Sequence, residues 1–179
     1  MHVLCVTASL ALSYCWLQPP TPLEIAFPDF TLALKAIQNF TAIATTQDKP
    51  QRVCVSARVR QLDEVTRDTE VEWQWVEQDS DGSPMKHDFH FKLGYGLPNR
   101  AVMTNSAAGQ LGADAILLYT DYNQCVVGLF VAPVFECTLW VHESAKDAVP
   151  DHCWAAYGNF CGPKRTLLQA DEKCKKHDR

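Results

Sequence analysis

The sequence lacks the short motifs that most enzyme and metal sites require. It contains no G-x-S-x-G, no H-E-x-x-H, no phosphate-binding loop and no glycine-rich dinucleotide fingerprint. It has no C-x-x-C pair either, which argues against an ordinary zinc site even though the chain has 8 cysteines. We therefore predict a protein that is not an enzyme and that holds neither a metal nor a cofactor.

Long runs of charge and long apolar spans are also missing. The formal net charge of −5 is spread along the chain, which disfavours nucleic acid and anionic membranes as partners. The longest apolar stretch, residues 3–17, is shorter than the roughly 20 residues that cross a bilayer, and Gln18-Pro19-Pro20 follows it. We predict that residues 1–17 are a secretory signal, cleaved at about 15–20 although no Lys or Arg precedes the run. Residues 18–179 then form one secreted domain.

The cysteine count supports an extracellular protein. Without Cys5 and Cys15 of the predicted signal, six of the eight cysteines remain, and an even number in a secreted chain implies disulfides. Six cysteines allow fifteen connectivities. The spacing restricts them, because Cys153 and Cys161 lie eight residues apart on one face of a predicted helix that starts near Pro150.

A helix with two cysteines on one face can be joined to two neighbouring strands at once. Cys125 and Cys137 each open a predicted strand and are the partners for the two helix cysteines. Cys54 on an early strand and Cys174 in the C-terminal tail then remain to be joined. The predicted disulfides are Cys125–Cys153, Cys137–Cys161 and Cys54–Cys174.

Hydrophobic periodicity predicts an all-β fold. About eight short segments alternate apolar and polar residues at fairly even spacing, which is typical of an up-and-down antiparallel barrel. Asp29 is placed to cap a short helix that reaches Gln38, and a second helix follows the last strand. The tail from Lys164 to Arg179 is polar.

The same alternation predicts which side chains face inward. Cys125 and Cys137 must face the external helix, so the opposite phase of their strands points to the interior. Simple core packing would also account for aromatic residues at the inward positions. The predicted inward aromatic side chains are Trp73, Trp75, Phe89, Phe91, Phe130 and Trp140.

A strand that reads C-x-L-W-V (Cys137–Val141), then V-P-x-x-C and a cysteine eight residues later, resembles the tick salivary lipocalins of the histamine-binding type. The stretch Tyr119-Thr120-Asp121-Tyr122 ahead of Cys125 adds to the resemblance. The resemblance implies an eight-stranded lipocalin barrel with a C-terminal helix packed on its outside. It also implies a function, the sequestration of a small host inflammatory mediator, with histamine or serotonin expected first.

The resemblance assigns site residues only where this sequence matches. Trp140 stands at a ligand-lining position, and Asp114 approximately at the position of an amine-binding carboxylate. Lys86, Thr138 and Val126 stand where further pocket acids would be expected, so at most one amine site is predicted. Asp121 and Glu136 are expected at the rim.

Two alternatives remain open at the level of sequence. Many aromatic residues and few acids also suit a leukotriene, fatty acid or sterol, with Lys86 or Arg100 at the mouth. A surface-acting modulator of a host immune protein would need no cavity at all. Asn39 begins the N-x-[ST] sequon of the chain and is predicted to be glycosylated, and a monomer is expected.

Overall fold

The computed structural model describes residues 4–6, 14–16, 27–105, 112–131, 135–170 and 172–174. Most of the predicted signal segment lies outside this range. The two described parts of the signal segment, Leu4–Val6 and Tyr14–Trp16, pair as two short antiparallel strands. The signal peptide and its cleavage stay predictions. No helix among the described residues is long and apolar enough to cross a membrane.

Eight antiparallel strands form a closed barrel, as the periodicity predicts. Each strand pairs with the next along the chain, and the eighth returns to pair with the first, so that Val141 lies opposite Thr41. The pairing of the first strand with the last closes the sheet into a barrel. The strands are β1 (Asn39–Thr45), β2 (Arg52–Asp63), β3 (Asp68–Glu77), β4 (Pro84–Leu93), β5 (Arg100–Asn105), β6 (Ala113–Thr120), β7 (Cys125–Phe130) and β8 (Glu136–His142).

A short helix, α1 (Phe30–Ala36), lies at one end of the barrel. Asp29 caps it by accepting a hydrogen bond from the Leu32 N–H (3.0 Å), as the sequence predicts. Ala33 and Leu34 are buried in the barrel interior. The Phe30 N–H donates to the Pro98 carbonyl (3.0 Å), which ties the helix to the β4–β5 loop. We call this the helix end, and the opposite end the mouth.

A second helix, α2 (Asp151–Cys161), packs outside the barrel against β7 and β8. Its Tyr157 and Ala156 are buried in an external cluster with Val127 and Leu139 of the wall. His142 ends β8 and caps the following 3-10 turn, with Nδ1 2.7 Å from the Ser144 hydroxyl oxygen. The predicted pairing is confirmed, since the disulfides are Cys125–Cys153, Cys137–Cys161 and Cys54–Cys174.

The C-terminal tail, which the sequence marks only as polar, contains a short strand that joins the sheet. Thr166–Leu167 forms a ninth strand, β9, which pairs with Thr45 and Ala44 of β1. The next residue, Leu168, is buried in the barrel interior. Backbone pairing with β1 and burial of the Leu168 side chain thus make the tail part of the barrel wall.

Candidate functional site

An aromatic layer divides the barrel interior into two chambers. Trp73 lies at its centre, with ring centroids 5.0 Å from Phe89, 5.6 Å from Phe130 and 5.3 Å from Trp140. The rings are tilted or edge-on to one another, the arrangement that aromatic quadrupoles favour. Trp73, Phe130 and Trp140 line both chambers, so a ligand on either side contacts the same rings.

The inner chamber, at the helix end, is small and apolar. Its volume is about 70 Å³, well below the roughly 300–1,000 Å³ of ordinary ligand pockets. None of the described side chains that line it carries a charge. They are Phe30, Ala33, Leu34, Phe40, Ala57, Val71, Trp73, Phe91, Val126, Phe130 and Trp140, with Gly128 contributing backbone.

The outer chamber, at the mouth, has the size of a small-molecule site. Its volume is about 390 Å³, and its wall combines aromatic, aliphatic and polar side chains. The β1–β2 turn, with Gln47 and Lys49, borders it. Residues 106–111 and 132–134 lie outside the described residues.

Glu136 supplies a negative charge to the outer chamber. Glu136, Thr138 and Trp140 alternate along β8 and all line this chamber. Thr45 donates its hydroxyl proton to Glu136 Oε1 (2.7 Å) and accepts from the Gln47 N–H (3.2 Å). Among the described residues that line the two chambers, Glu136 is the one carboxylate.

Two cations stand at the mouth of the same chamber. The Arg52 guanidinium carbon lies 4.5 Å from the centroid of the Trp75 ring, a cation–π contact that fixes its position. Lys49 lies on the adjacent turn, and both side chains are exposed. The outer chamber can therefore hold a cationic group beside Glu136 and an anionic group nearer to Arg52.

The structure brings most of the predicted aromatic residues together. Phe91 lines the inner chamber, and Phe89 supports the aromatic layer by contacting Trp73. Trp75 lies under Arg52 with its indole N–H buried, and no acceptor for that N–H is found among the described residues. The roles of these side chains in ligand binding stay predictions.

Asp114 does not face the cavity, and its assignment as the amine anchor does not fit the structure. Its carboxylate accepts a hydrogen bond from Arg100 Nη2 (3.1 Å), and both side chains are about 40% exposed. The inward phase of β6 belongs to Ala113 and Ala115, so Asp114 faces outward. Arg100 and the exposed Lys86 are likewise absent from both chambers.

Glu136, which was expected at the rim, lines the outer chamber, and the sequence contains a signal for its inward direction. Glu136 and Trp140 are four residues apart on one strand and flank Cys137, which faces the external helix. The phase that places Trp140 inward therefore also places Glu136 inward.

Asp121, the other expected rim acid, has a structural role at the helix end. Burial opposes its ionisation, but hydrogen bonds outweigh burial and hold the pKa of the Asp121 carboxyl below its ordinary value. Oδ2 lies 2.8 Å from His152 Nε2 on α2. Oδ1 accepts from the backbone N–H groups of Asn123, Gln124 and Cys125 (3.0, 2.8 and 2.9 Å).

The Asp121–His152 pair lies beside the Cys125–Cys153 disulfide, and the four side chains meet the spacing of a metal cluster. Both sulfur atoms are bonded to each other, so neither is a free thiolate ligand. The pair therefore fastens the β6–β7 turn to α2. At the start of β1, the side chain of Asn39 is half-buried, and its glycosylation stays a prediction.

Comparison with protein families gives a match that covers most of the chain. The model of the family described as tick histamine-binding protein matches residues 29–176. No curated protein sequence matches the chain.

Solved structures share the barrel at low sequence identity. AM182 in complex with serotonin has a TM-score of 0.65 at 15% identity, over 83% of this chain and 94% of that one. Japanin from Rhipicephalus appendiculatus, bound to cholesterol, has a TM-score of 0.58 at 17% identity, over 77% and 95%. Apocrustacyanin C2 has a TM-score of 0.57 at 13% identity, over 80% and 82%. These likenesses establish the lipocalin-type fold.

Proposed function

Because this chain belongs to the tick histamine-binding protein family, we propose that it binds a protonated aromatic amine in the outer chamber and so sequesters a host mediator. Histamine and serotonin are the expected ligands. The protein acts by holding the amine and carries out no reaction on it. The predicted signal peptide and the three disulfides agree with action outside the cell.

The observation that carries the proposal is the position of Glu136 on the strand that also carries Trp140. An ammonium group that leaves water needs a negative partner, since an unpaired buried charge costs several kcal/mol. Glu136 provides that partner, and the Thr45 hydroxyl fixes one of its oxygens at 2.7 Å. Among the described residues no hydrogen-bond donor to the other oxygen is found, so that oxygen is available to accept from the amine.

The aromatic layer supplies the second half of the recognition. The rings of Trp73, Phe130 and Trp140 form the inner wall of the outer chamber. An imidazole or indole ring stacks favourably on such walls, and a cation near a tryptophan face gains about 0.5–2 kcal/mol. The serotonin complex of AM182, which shares this fold, supports an amine.

Calorimetric titration with histamine and serotonin tests the proposal. E136Q keeps the shape of the side chain but removes its charge, and a charge-assisted hydrogen bond contributes about 1.5–3 kcal/mol. We expect the affinity of E136Q to fall about 10- to 150-fold. D114N is the matched control, because Asp114 faces outward, and it should bind like the wild type. Equal loss in both variants, or no amine binding by the wild type, would refute the proposal.

A second candidate ligand is a lipid mediator with a carboxylate, and Arg52 favours it. A guanidinium held on Trp75 at the chamber mouth suits a carboxylate, while apolar walls lie deeper in the barrel. To enter the inner chamber, a lipid tail must displace rings of the aromatic layer. Japanin, bound to cholesterol, shows that this fold can hold an apolar guest.

Mass spectrometry of an organic extract of the purified protein tests this second candidate. A lipid acid that co-purifies with the wild type and is reduced in R52Q would support it. R58Q is the control, because Arg58 is an exposed arginine on the same strand that lines neither chamber. An extract without lipid from the wild type would contradict the candidate.

A further inference from the structure

The barrel wall contains a gap between β1 and β2 on the side of the mouth. These two strands pair only where Asn39, Phe40 and Thr41 face Arg58, Ala57 and Ser56. Beyond that point the register of β2 against β3 is interrupted between Val53 and Ser56, and Cys54 has a φ of 53°. The two strands therefore separate just where the outer chamber begins.

The C-terminal tail fills this gap with its own backbone. The Leu168 N–H donates to the Ile43 carbonyl (2.9 Å), and the Leu168 carbonyl accepts from the Cys54 N–H (2.8 Å). One residue of the tail is thus bonded to both separated strands. These bonds satisfy the Ile43 carbonyl and the Cys54 N–H, which the separated strands do not satisfy between themselves.

Gln169 and a disulfide hold the tail in this position. The Gln169 side-chain amide donates to the Ala42 carbonyl (2.9 Å) and to the Val55 carbonyl (3.2 Å), which bridges the two strands. Cys174 is bonded to Cys54 at the edge of the gap. The tail is consequently a fixed part of the wall.

Two adjacent leucines of the tail have opposite environments. The side chain of Leu168 is 3% exposed, belongs to the interior cluster and lines the outer chamber with Val55 and Trp140. Leu167 is 50% exposed and lines neither chamber. Leu168 thus occupies volume at the side of the chamber where the barrel strands leave a gap.

We propose that Leu168 is a specificity-determining residue of the outer chamber. Its side chain sets the width of the chamber on the side of the gap, so that the chamber accepts arylalkylamines with a small ring system and rejects those with a bulky ring substituent. This inference rests on the proposed amine function. It adds that the tail, which completes the wall but is not one of the eight barrel strands, selects the ligand by size.

The test compares L168A with L167A in calorimetric titrations with serotonin and with 5-benzyloxytryptamine, a bulkier ether of the same skeleton. A mismatch of about one methylene in an apolar pocket changes affinity about 10- to 200-fold. We expect the serotonin-to-benzyloxytryptamine affinity ratio to fall at least tenfold in L168A and to stay at the wild-type value in L167A. Equal ratios in L168A and the wild type would overturn the inference.

A second readout separates this inference from the amine proposal. Anilinonaphthalene sulfonate is an anionic aromatic fluorescent probe without an aliphatic amine. Because L168A and L167A leave every charged group in place, a difference in probe binding between them reports chamber size whether or not amines bind. L168A should bind the probe at least fivefold more tightly than L167A. If the wild type binds no amine but L168A binds the probe more tightly than L167A, the amine proposal fails and the role of Leu168 stands. Equal probe binding by both variants contradicts that role.

Circular dichroism spectra establish that the variants are folded. If L168A does not fold, L168V replaces it in the test, because this substitution removes only a single carbon. It should shift the affinity ratio in the same direction by about threefold or more, and an unchanged ratio in folded L168V counts against the proposal.

Discussion

Replacing Trp140 with alanine removes a ring that both chambers share. Trp140 is only 7% exposed, and its ring lies 5.3 Å from that of Trp73. Truncation of a buried tryptophan to alanine costs about 3–5 kcal/mol, because contacts are lost and a cavity remains. With a slope of about 2 kcal/mol per molar urea, the unfolding midpoint of W140A should fall by about 2 M.

The same substitution should weaken amine binding. The lost stacking and cation–π contact correspond to about 0.5–2 kcal/mol, or a two- to thirtyfold rise in Kd. Removal of the ring also joins the inner chamber to the outer one, so the bound amine is held less tightly against Glu136. Calorimetric titration with serotonin measures this effect on folded W140A.

W154A is the matched control. Trp154 lies on α2, outside the barrel, with the Arg165 guanidinium 4.8 Å from its ring centroid. Its truncation should cost about 1 kcal/mol or less and leave the serotonin Kd unchanged. The reasoning would be refuted if W140A and W154A had the same effect on the urea midpoint, or if W140A bound serotonin with wild-type affinity.

Three further predictions concern parts of the molecule away from the aromatic layer. Replacing Cys54 and Cys174 together with serine opens a loop with a sequence separation of 120 and should lower the free energy of unfolding by about 4–5 kcal/mol in urea titrations; a loss below 1 kcal/mol would contradict a tail that is part of the wall. Because the pKa of Asp121 is lowered in the folded state, its carboxylate stabilises the fold at pH values above the ordinary carboxyl pKa, and this contribution disappears as the pH falls through the folded-state pKa. D121N should therefore have a lower free energy of unfolding at pH 7, and that free energy should fall less steeply below about pH 4 than in the wild type. Parallel pH dependences of the two proteins would argue against this role of Asp121. Secreted expression in eukaryotic cells should give a glycan at Asn39 that N39Q lacks, seen as a mass difference removed by an N-glycosidase, and equal masses would count against the sequon.

The barrel and the two disulfides of α2 could be predicted because they depend on local patterns, and Cys54–Cys174 then followed by elimination. Strict alternation around Trp73 or Phe89 fixes both the strand and the face, and the eight-residue spacing of Cys153 and Cys161 fixes one face of a helix. The cysteine phase then places Trp140 inward. Each of these inferences uses residues that are close together in the sequence.

The acid of the outer chamber could not be chosen by resemblance alone. Asp114 is adjacent to the inward positions of Ala113 and Ala115, and a shift of one residue in a strand moves a side chain to the opposite face. The alternation from Trp140 back to Glu136 involves no such shift. Phase within one strand was therefore more informative than an approximate family position.

The insertion of the tail was not predictable from local patterns. Leu167 and Leu168 are two apolar residues in a polar stretch, without the alternation that marks a strand. What places them is the gap between β1 and β2, a property of strands more than a hundred residues earlier. Apart from Cys174, whose disulfide joins the tail to β2, such non-local pairing leaves no signature in the tail.

The most direct test of the amine site is a crystal structure of the protein with bound serotonin. The account predicts the amine nitrogen about 2.7–3.2 Å from a carboxylate oxygen of Glu136, with the indole ring against Trp73 and Trp140 in the outer chamber. An amine bound at Asp114 on the outer face, or a ligand whose nitrogen has no contact with Glu136, would contradict it.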